Sequence, residues 1–227
     1  MKQTVSDRMD NGLAASDVVA GRLREEIISG IIVSGTSLVE TDIAAQYGAS
    51  RNTVREAMRQ LRSENLVIYI RHRGNIVKTL TPADVYDIYR VRRVLELSAI
   101  EQSAFAGDDL LAAIHNVIRS AEQAQAERQW RDVGTWSLRF HQAVVALLGS
   151  ERLDAFFSGI VAQLRLVFAL ADDERAFQNP WVERDRRIHE ILMCGQRDRA
   201  ADAMKLYLED SEAGVLDLVR AARIRHK

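Results

Sequence analysis

Cysteine and proline are scarce in this sequence, which has one cysteine and two prolines among 227 residues. The single thiol, Cys194, cannot form an intrachain disulfide or a cysteine-based zinc cluster, and this favours a reducing cytoplasm. No apolar run approaches the roughly 18–20 residues that span a bilayer, and residues 1–16 lack the apolar core of a signal peptide. We therefore expect a cytoplasmic protein without a membrane partner.

Neither sign of charge is in excess over the whole sequence, since the formal net charge is −1, but the charges are unevenly distributed. Residues 45–79 contain seven basic side chains and two acidic ones, whereas residues 80–227 contain 20 basic and 23 acidic side chains. A basic segment beside a mildly acidic body is typical of a protein that binds a polyanion. A solvated charged face is an equally good interpretation of the charge alone.

Residues 16–80 show the pattern of a winged helix-turn-helix domain, which is three helices and a β-hairpin. The predicted elements are helices over 16–29 and 40–47, a third helix that follows Ser50 and carries the apolar stripe Val54, Met58 and Leu61, and strands over 66–70 and 75–80 joined by a turn at 71–74. Ser16 and Ser50 are placed to cap the first and third helices, because a hydroxyl there accepts a bond from a free backbone N–H. Gly48 permits a left-handed turn after the second helix.

The remainder of the chain shows helical spacing only. Thr81 and Pro82 form a typical helix start, so we place the domain boundary there. The predicted helices include 136–148, 152–170, 181–193 and 198–223, with Pro180 opening the third of these after a loop at 177–179. Short connections predict an all-α antiparallel bundle. The predicted organisation is a flexible tail over 1–15, a DNA-binding domain over 16–80, and a helical domain over 81–227.

The third helix carries the residues that we expect to contact DNA. In helix-turn-helix proteins the start of this helix enters the major groove. Arg51 and Arg55 suit bidentate contacts to guanine, and Asn52 suits adenine. The hydroxyls of Ser50 and Thr53 can bond phosphates or base edges. The turn at 71–74 adds a cationic hairpin tip for a minor groove or phosphates.

These residues closely resemble the GntR family of bacterial regulators. The positions that match are Gly35, Leu38, Glu40, Ile43, Ala44, Gly48, Ser50, Arg51, Val54, Arg55, Glu56, Ala57, Leu61, Leu66, Gly74 and Val77. Ser34, Thr53 and Asn65 depart from the family pattern. The DNA contacts assigned with this resemblance are Thr41, Ser50, Arg51, Asn52, Thr53, Arg55, Arg71, His72, Arg73 and Gly74. A winged helix used for protein contacts is the alternative, but it gives the interleaved arginines no packing purpose.

The helical half resembles the effector domain of the FadR-like branch of that family. The matching segments are 89–96, 140–141, 185–188 and 195–196. Many members of this branch bind a divalent metal through one aspartate and three histidines, and such ligands suit zinc or nickel. The corresponding positions here are Ser137, His141, Asp185 and Tyr207, of which only His141 is unchanged. His141 and Asp185 are therefore the candidate metal ligands of an incomplete set, with His189 as a possible addition.

The same positions can instead bind a ligand directly. The predicted effector site consists of Arg92, Ser137, His141, Asp185 and Tyr207, with Arg139 and Arg165 as alternative cations. The resemblance places Arg92 at a cavity, where a guanidinium suits a carboxylate. An ion pair with Glu96, one helical turn away, is an equally good interpretation of Arg92. His141 has the alternative of a hydrogen-bonded core histidine.

Together these features predict a dimeric DNA-binding repressor that recognises a pseudo-palindromic operator and responds to a small organic acid. A helical-bundle metal-dependent enzyme with a DNA-targeting head is the alternative, and a structural nucleoid or adaptor protein is a third. We find no nucleophile elbow, phosphate loop or zincin pair, so we do not expect an enzyme.

Overall fold

A computed structural model describes residues 14–225, so most of the predicted tail over 1–15 lies outside the described residues. The chain divides into two compact units, 1–79 and 80–227. We call them the winged unit and the helical unit. No helix in the described range is long and apolar enough to cross a membrane.

The winged unit contains three helices and a small antiparallel sheet, as the sequence predicts. Its elements are α1 (Ala15–Ile28), β1 (Ser37–Leu38), α2 (Glu40–Tyr47), α3 (Arg51–Ser63), β2 (Val67–Ile70) and β3 (Gly74–Val77). The strand order is β1-β3-β2. β1 was not predicted, because two residues are too few to show an alternating pattern. It pairs with β3 through Ser37 opposite Ile76.

Local chemistry explains where the helices of this unit begin and end. The Ser50 hydroxyl accepts a bond from the Thr53 N–H at 3.1 Å, which confirms the predicted cap of α3. Gly48 ends α2 with a φ of 63°, in the left-handed region that glycine adopts without strain. The predicted cap at Ser16 is wrong: α1 begins at Ala15, after Ala14, and no side chain of the described residues caps it.

The core of the winged unit forms where α1 packs against α3. Val54, Met58 and Leu61 lie at helical spacing along α3 and are fully buried, as are Leu23 and Ile27 of α1. This buried stripe leaves the opposite face of α3, with Arg51, Arg55 and Arg59, in solvent. Because one face of α3 packs against α1, the first residues of α3 are exposed to solvent on its opposite face.

The helical unit is built of six helices and one short 3-10 turn within the described range. They are α4 (Pro82–Gln102), the 3-10 turn (Ser103–Phe105), α5 (Asp108–Ala126), α6 (Trp130–Ala146), α7 (Glu151–Phe168), α8 (Glu174–Met193) and α9 (Arg197–Arg225). The Thr81 hydroxyl and the Asp84 carboxylate form a reciprocal capping box, and Pro82 occupies the first turn. This confirms the predicted start of α4.

The prediction for Pro180 is wrong. Pro180 lies inside α8, which begins at Glu174 rather than near 181. The Asp173 carboxylate accepts a bond from the Ala176 N–H at 3.0 Å and starts the helix early. Pro180 has no N–H to donate to the Ala176 carbonyl, so the helix lacks one backbone hydrogen bond there, yet it continues to Met193. The sequence pattern also missed the first turns of α6, which begins at Trp130 rather than 136.

Candidate functional sites: an exposed cationic surface and a buried polar cluster

The start of α3 presents a group of polar side chains to solvent. Arg51, Asn52 and Arg55 are exposed, and so is Ser50 at the cap. Thr53 is half-buried, and its hydroxyl lies 2.8 Å from that of Ser50. The free N–H groups and the dipole at a helix start attract a phosphate. The positive charges of Arg51 and Arg55 attract it as well. Thr41, on α2, is exposed as well.

The hairpin between β2 and β3 forms the second part of this surface. Arg71, His72 and Arg73 are exposed at its tip. The turn requires two residues in the left-handed region, His72 with a φ of 67° and Gly74 with a φ of 77°. Three cationic or titratable side chains thus extend from one tight turn, which suits contact with a polyanion.

The helical unit contains a group of buried polar side chains that we call the buried polar cluster. Its members are Arg92, Glu96, Ser137, His141, Gln178, Asp185 and Tyr207. They come from α4, α6, α8 and α9. Buried polar groups are costly unless they are hydrogen-bonded, so a cluster of this size favours a binding site over simple packing.

A carboxylate lies at the centre of the cluster. Glu96 is fully buried and accepts bonds from the Arg92 Nε at 2.7 Å and from the His141 Nδ1 at 2.6 Å. Burial alone would raise the pKa of Glu96, but the charge of Arg92 and the bond to His141 hold that pKa below its usual value. Burial and the charge of Arg92 lower the pKa of His141 below its usual value, although Glu96 acts in the opposite direction.

Of the two sequence interpretations of Arg92, the ion pair with Glu96 is confirmed, and the contact with a ligand stays a prediction. Arg92 forms the ion pair with Glu96, yet its Nη2 has no hydrogen-bond partner within residues 14–225. The guanidinium also lies 4.9 Å from the centre of the Tyr89 ring. One face of Arg92 is therefore structural, while one nitrogen is available to a ligand.

Asp185 is the second unusual carboxyl of the cluster. It is fully buried, and neither of its oxygens makes a hydrogen bond of standard geometry with the described residues. Burial raises the pKa of Asp185 well above its usual range, and the nearby hydroxyls of Ser137 and Tyr207 offset this only in part. Those two hydroxyls lie 3.2 Å from each other. Burial thus favours the protonated form of the Asp185 carboxyl.

The residues of the cluster do not fit the metal that the family resemblance implies. Among the described residues, no group of three or more His, Cys, Asp or Glu side chains is placed to hold a metal ion. Ser137 and Tyr207 are neutral hydroxyls where imidazoles would be needed. The Nδ1 of His141 is bonded to Glu96, which leaves the Nε2 as its one ring nitrogen for any further contact.

Four of the five predicted effector residues line one cavity in the helical unit. The lining includes Arg92, Ser137, His141, Phe177, Gln178, Trp181 and Tyr207. Asp185 is not part of that lining. The cavity holds about 10 Å³ in this structure, which is room for about one water molecule. An organic acid therefore needs side chains to move before it can enter.

Gln178 is a cavity residue that the sequence analysis missed. It is buried, and in the part of the chain that the structure describes neither its Nε2 nor its Oε1 has a hydrogen-bond partner. A Cβ at Gly134 would approach its Nε2 to 2.9 Å, so a glycine at that position makes room for the amide. No local pattern marks a glutamine of this kind, because only the packing of α6 against α8 buries it.

The other candidate side chains lie elsewhere. Arg139 lines a separate groove with Trp136 and Phe157, and donates to Gln142 at 2.9 Å. His189 is buried beside His115, with ring centres 5.4 Å apart, and it does not line the cavity. Arg165 is buried 3.8 Å from Glu174. The cavity therefore favours Arg92 over both alternative cations.

Two family models match the chain. That of the bacterial regulatory proteins of the gntR family covers residues 15–77, and that of the FCD domain covers residues 87–210. The chain belongs to the GntR family of bacterial regulatory proteins, with an FCD domain as its helical unit. This confirms the predicted family and fold class, and it gives no support to the alternative of a metal-dependent enzyme.

Curated relatives and solved structures agree with this assignment. The gluconate operon transcriptional repressor of Bacillus licheniformis is 34% identical over 131 residues, which are 56% of this chain and 52% of the relative. That of Bacillus subtilis (strain 168) is 30% identical over 145 residues, 63% and 58% of the two chains. The chain thus spans little more than half of these relatives. A GntR transcriptional regulator from Rhodococcus sp. RHA1 is 35% identical, with a TM-score of 0.80 over 89% of this chain and 97% of that one.

Proposed function

We propose that the protein is a cytoplasmic transcription repressor that binds DNA through the winged unit and responds to a small organic acid bound in the helical unit, without enzymatic activity. The observation that carries the proposal is the exposed start of α3, where Arg51, Asn52 and Arg55 surround a capped helix end. The family match supports a regulatory role for a surface of this kind.

DNA recognition divides between two parts of the winged unit. Arg51 and Arg55 suit bidentate contacts to guanine in the major groove, which carry sequence information. The wing residues Arg71 and Arg73 suit phosphates or a minor groove, which fix position but read little sequence. One recognition helix covers few base pairs, so we propose a homodimer on a pseudo-palindromic operator.

The effector proposal rests on the polar atoms that the cavity leaves without partners. Within residues 14–225, these include the Arg92 Nη2 and both amide atoms of Gln178. The two donors, Arg92 Nη2 and Gln178 Nε2, suit a carboxylate, and the acceptor Gln178 Oε1 suits a hydroxyl of the same ligand. Because the cavity is nearly filled, the ligand binds only an opened arrangement of the helical unit. A ligand that binds one arrangement better shifts the population towards it.

Arginine variants test the DNA surface. On a duplex selected from a randomised pool, Arg51→Ala should weaken binding by about 1–3 kcal/mol, because a bidentate base contact is lost. Arg73→Ala should weaken binding evenly on selected and random duplexes. Arg119→Ala is the matched control, since Arg119 is exposed on α5 of the helical unit. Equal binding by the parent and both winged-unit variants would contradict the proposed surface.

Thermal unfolding with a panel of mono-, di- and tricarboxylic acids tests the cavity. An acid that binds the folded protein raises the midpoint of unfolding. We expect Gln178→Leu to abolish that rise, because the unpartnered amide is lost. Gln142→Leu is the matched control, since Gln142 lines the separate groove. A full response in Gln178→Leu would place the effector elsewhere.

A further inference from the structure

Arg55 is already paired within the winged unit. Its Nε lies 3.4 Å from the Oε2 of Glu40, the first residue of α2, and the side chains of Arg55 and Glu40 are 54% and 30% exposed. A residue that we expect to read DNA thus has an internal anion beside it. DNA that draws Arg55 away from Glu40 must compete with this carboxylate.

The second oxygen of Glu40 is held by the sheet. The Nδ2 of Asn75 donates to the Glu40 Oε1 at 3.5 Å, and the Oδ1 of Asn75 accepts from the Arg62 Nη1 at 2.8 Å. Asn75 is 5% exposed, and it lies on the central strand β3 opposite Leu38 and Tyr69. A buried amide that is bonded on both sides keeps one orientation. The carboxylate of Glu40 therefore lies between β3 and α3 and contacts a side chain of each.

We propose that Glu40 is a specificity-determining residue that competes with DNA for Arg55, and that Asn75 is the positioning residue that holds Glu40 in place. This inference rests on the proposed DNA-binding function. Specificity is a difference between two affinities, and it increases when the unwanted complex is penalised more than the wanted one.

The physical reason is that random DNA and operator DNA offer Arg55 different contacts. On random DNA, Arg55 exchanges its pair with Glu40 for attraction to phosphate, and the Glu40 carboxylate then faces a polyanion without its partner. On an operator, the two Nη atoms of Arg55 contact guanine while its Nε stays beside Glu40, so the ion pair is kept. Glu40 therefore weakens binding to random DNA more than it weakens binding to the operator.

Charge alone could imitate this effect, because removing any acid near DNA favours binding. Glu56 provides the matched control. It lies on α3 beside Arg55, is exposed, and pairs with Arg59 at 2.7 Å. Glu40→Gln and Glu56→Gln change the net charge equally, but only the first releases Arg55.

The test measures the affinity of the full chain for two duplexes of equal length, one selected from a randomised pool and one of random sequence. We expect Glu40→Gln to tighten binding to the random duplex by about two- to five-fold, as loss of an exposed ion pair implies. The ratio of selected to random affinity should fall by a similar factor. Glu56→Gln should leave that ratio unchanged. In an Arg55→Ala background, Glu40→Gln should have no effect on the ratio.

Asn75→Ala tests the positioning role, and it should lower the same ratio in the same direction. Its thermal unfolding shows whether the winged unit remains folded. If Glu40→Gln and Glu56→Gln change the ratio equally, or if Glu40→Gln weakens binding to both duplexes alike, the inference is wrong. Failure of the parent to bind any duplex would instead refute the proposed function, and the inference with it.

Discussion

The charge of Glu96 should be essential to the stability of the helical unit. Glu96→Gln keeps the size of the side chain and an oxygen that can accept a bond from Arg92, but it removes the negative charge. Arg92 would then be a guanidinium with 2% exposure and no ionic partner. Breaking a buried ion pair from one side costs about 3–5 kcal/mol, because the remaining charge stays out of water. We expect a loss of this size in the free energy of unfolding.

Urea unfolding followed by tryptophan fluorescence measures this loss. All three tryptophans, Trp130, Trp136 and Trp181, lie in the helical unit, so the signal reports on that unit. Glu183→Gln is the control, since Glu183 pairs with Arg186 on the surface and its side chain is 66% exposed. The control should change stability by less than about 1 kcal/mol.

A double variant separates the charge from the packing. Arg92→Met combined with Glu96→Leu removes both charges and retains apolar volume, and such replacements of buried pairs are often neutral. The double variant should therefore be more stable than Glu96→Gln alone. A loss below about 1 kcal/mol in Glu96→Gln, or a double variant less stable than the single one, would refute the idea that an uncompensated charge dominates.

Three further predictions follow from the same structure. Because burial raises the pKa of Asp185, the folded parent holds a proton that the unfolded chain has lost above a pKa of about 3.9. Its stability therefore falls as pH rises, by up to about 1.4 kcal/mol per pH unit. Asp185→Asn should accordingly gain stability over the parent as the pH rises above about 4 in urea titrations, and an unchanging difference would count against a raised pKa of Asp185. Treatment with a chelator should leave DNA affinity and thermal unfolding unchanged, whereas stoichiometric zinc or nickel in elemental analysis would contradict the poor metal fit of Ser137 and Tyr207. Light scattering at micromolar concentration should show a dimer, and a monomer that binds DNA tightly one-to-one would contradict the proposed operator geometry.

Features that depend on a few neighbouring residues were predictable from the sequence. The cap at Ser50, the left-handed turn at Gly48 and the Thr81–Pro82 helix start each follow from local backbone chemistry, and the structure contains all three. The early start of α8 was not predictable in the same way. A proline at 180 resembles a helix start, and only the cap at Asp173 distinguishes the two cases.

Features that depend on distant residues could not be predicted from the sequence. Gln178 becomes a cavity residue because α6 and α8 bury it, and glutamine carries no periodic signal of its own. Asn75 lies in a strand with no sign in the local sequence that its amide meets Glu40, 35 residues away. The ion pair between Arg92 and Glu96 was predictable from helical spacing, whereas its complete burial was not.

Selection of duplexes from a randomised pool by the purified full chain tests the central claim most directly. Two copies of α3 that read DNA in a two-fold arrangement predict enrichment of an imperfect inverted repeat. Sequencing of the bound fraction gives the repeat and the spacing of its halves. Enrichment of such a repeat would support a dimeric, sequence-specific regulator, and a bound fraction indistinguishable from the starting pool would contradict it.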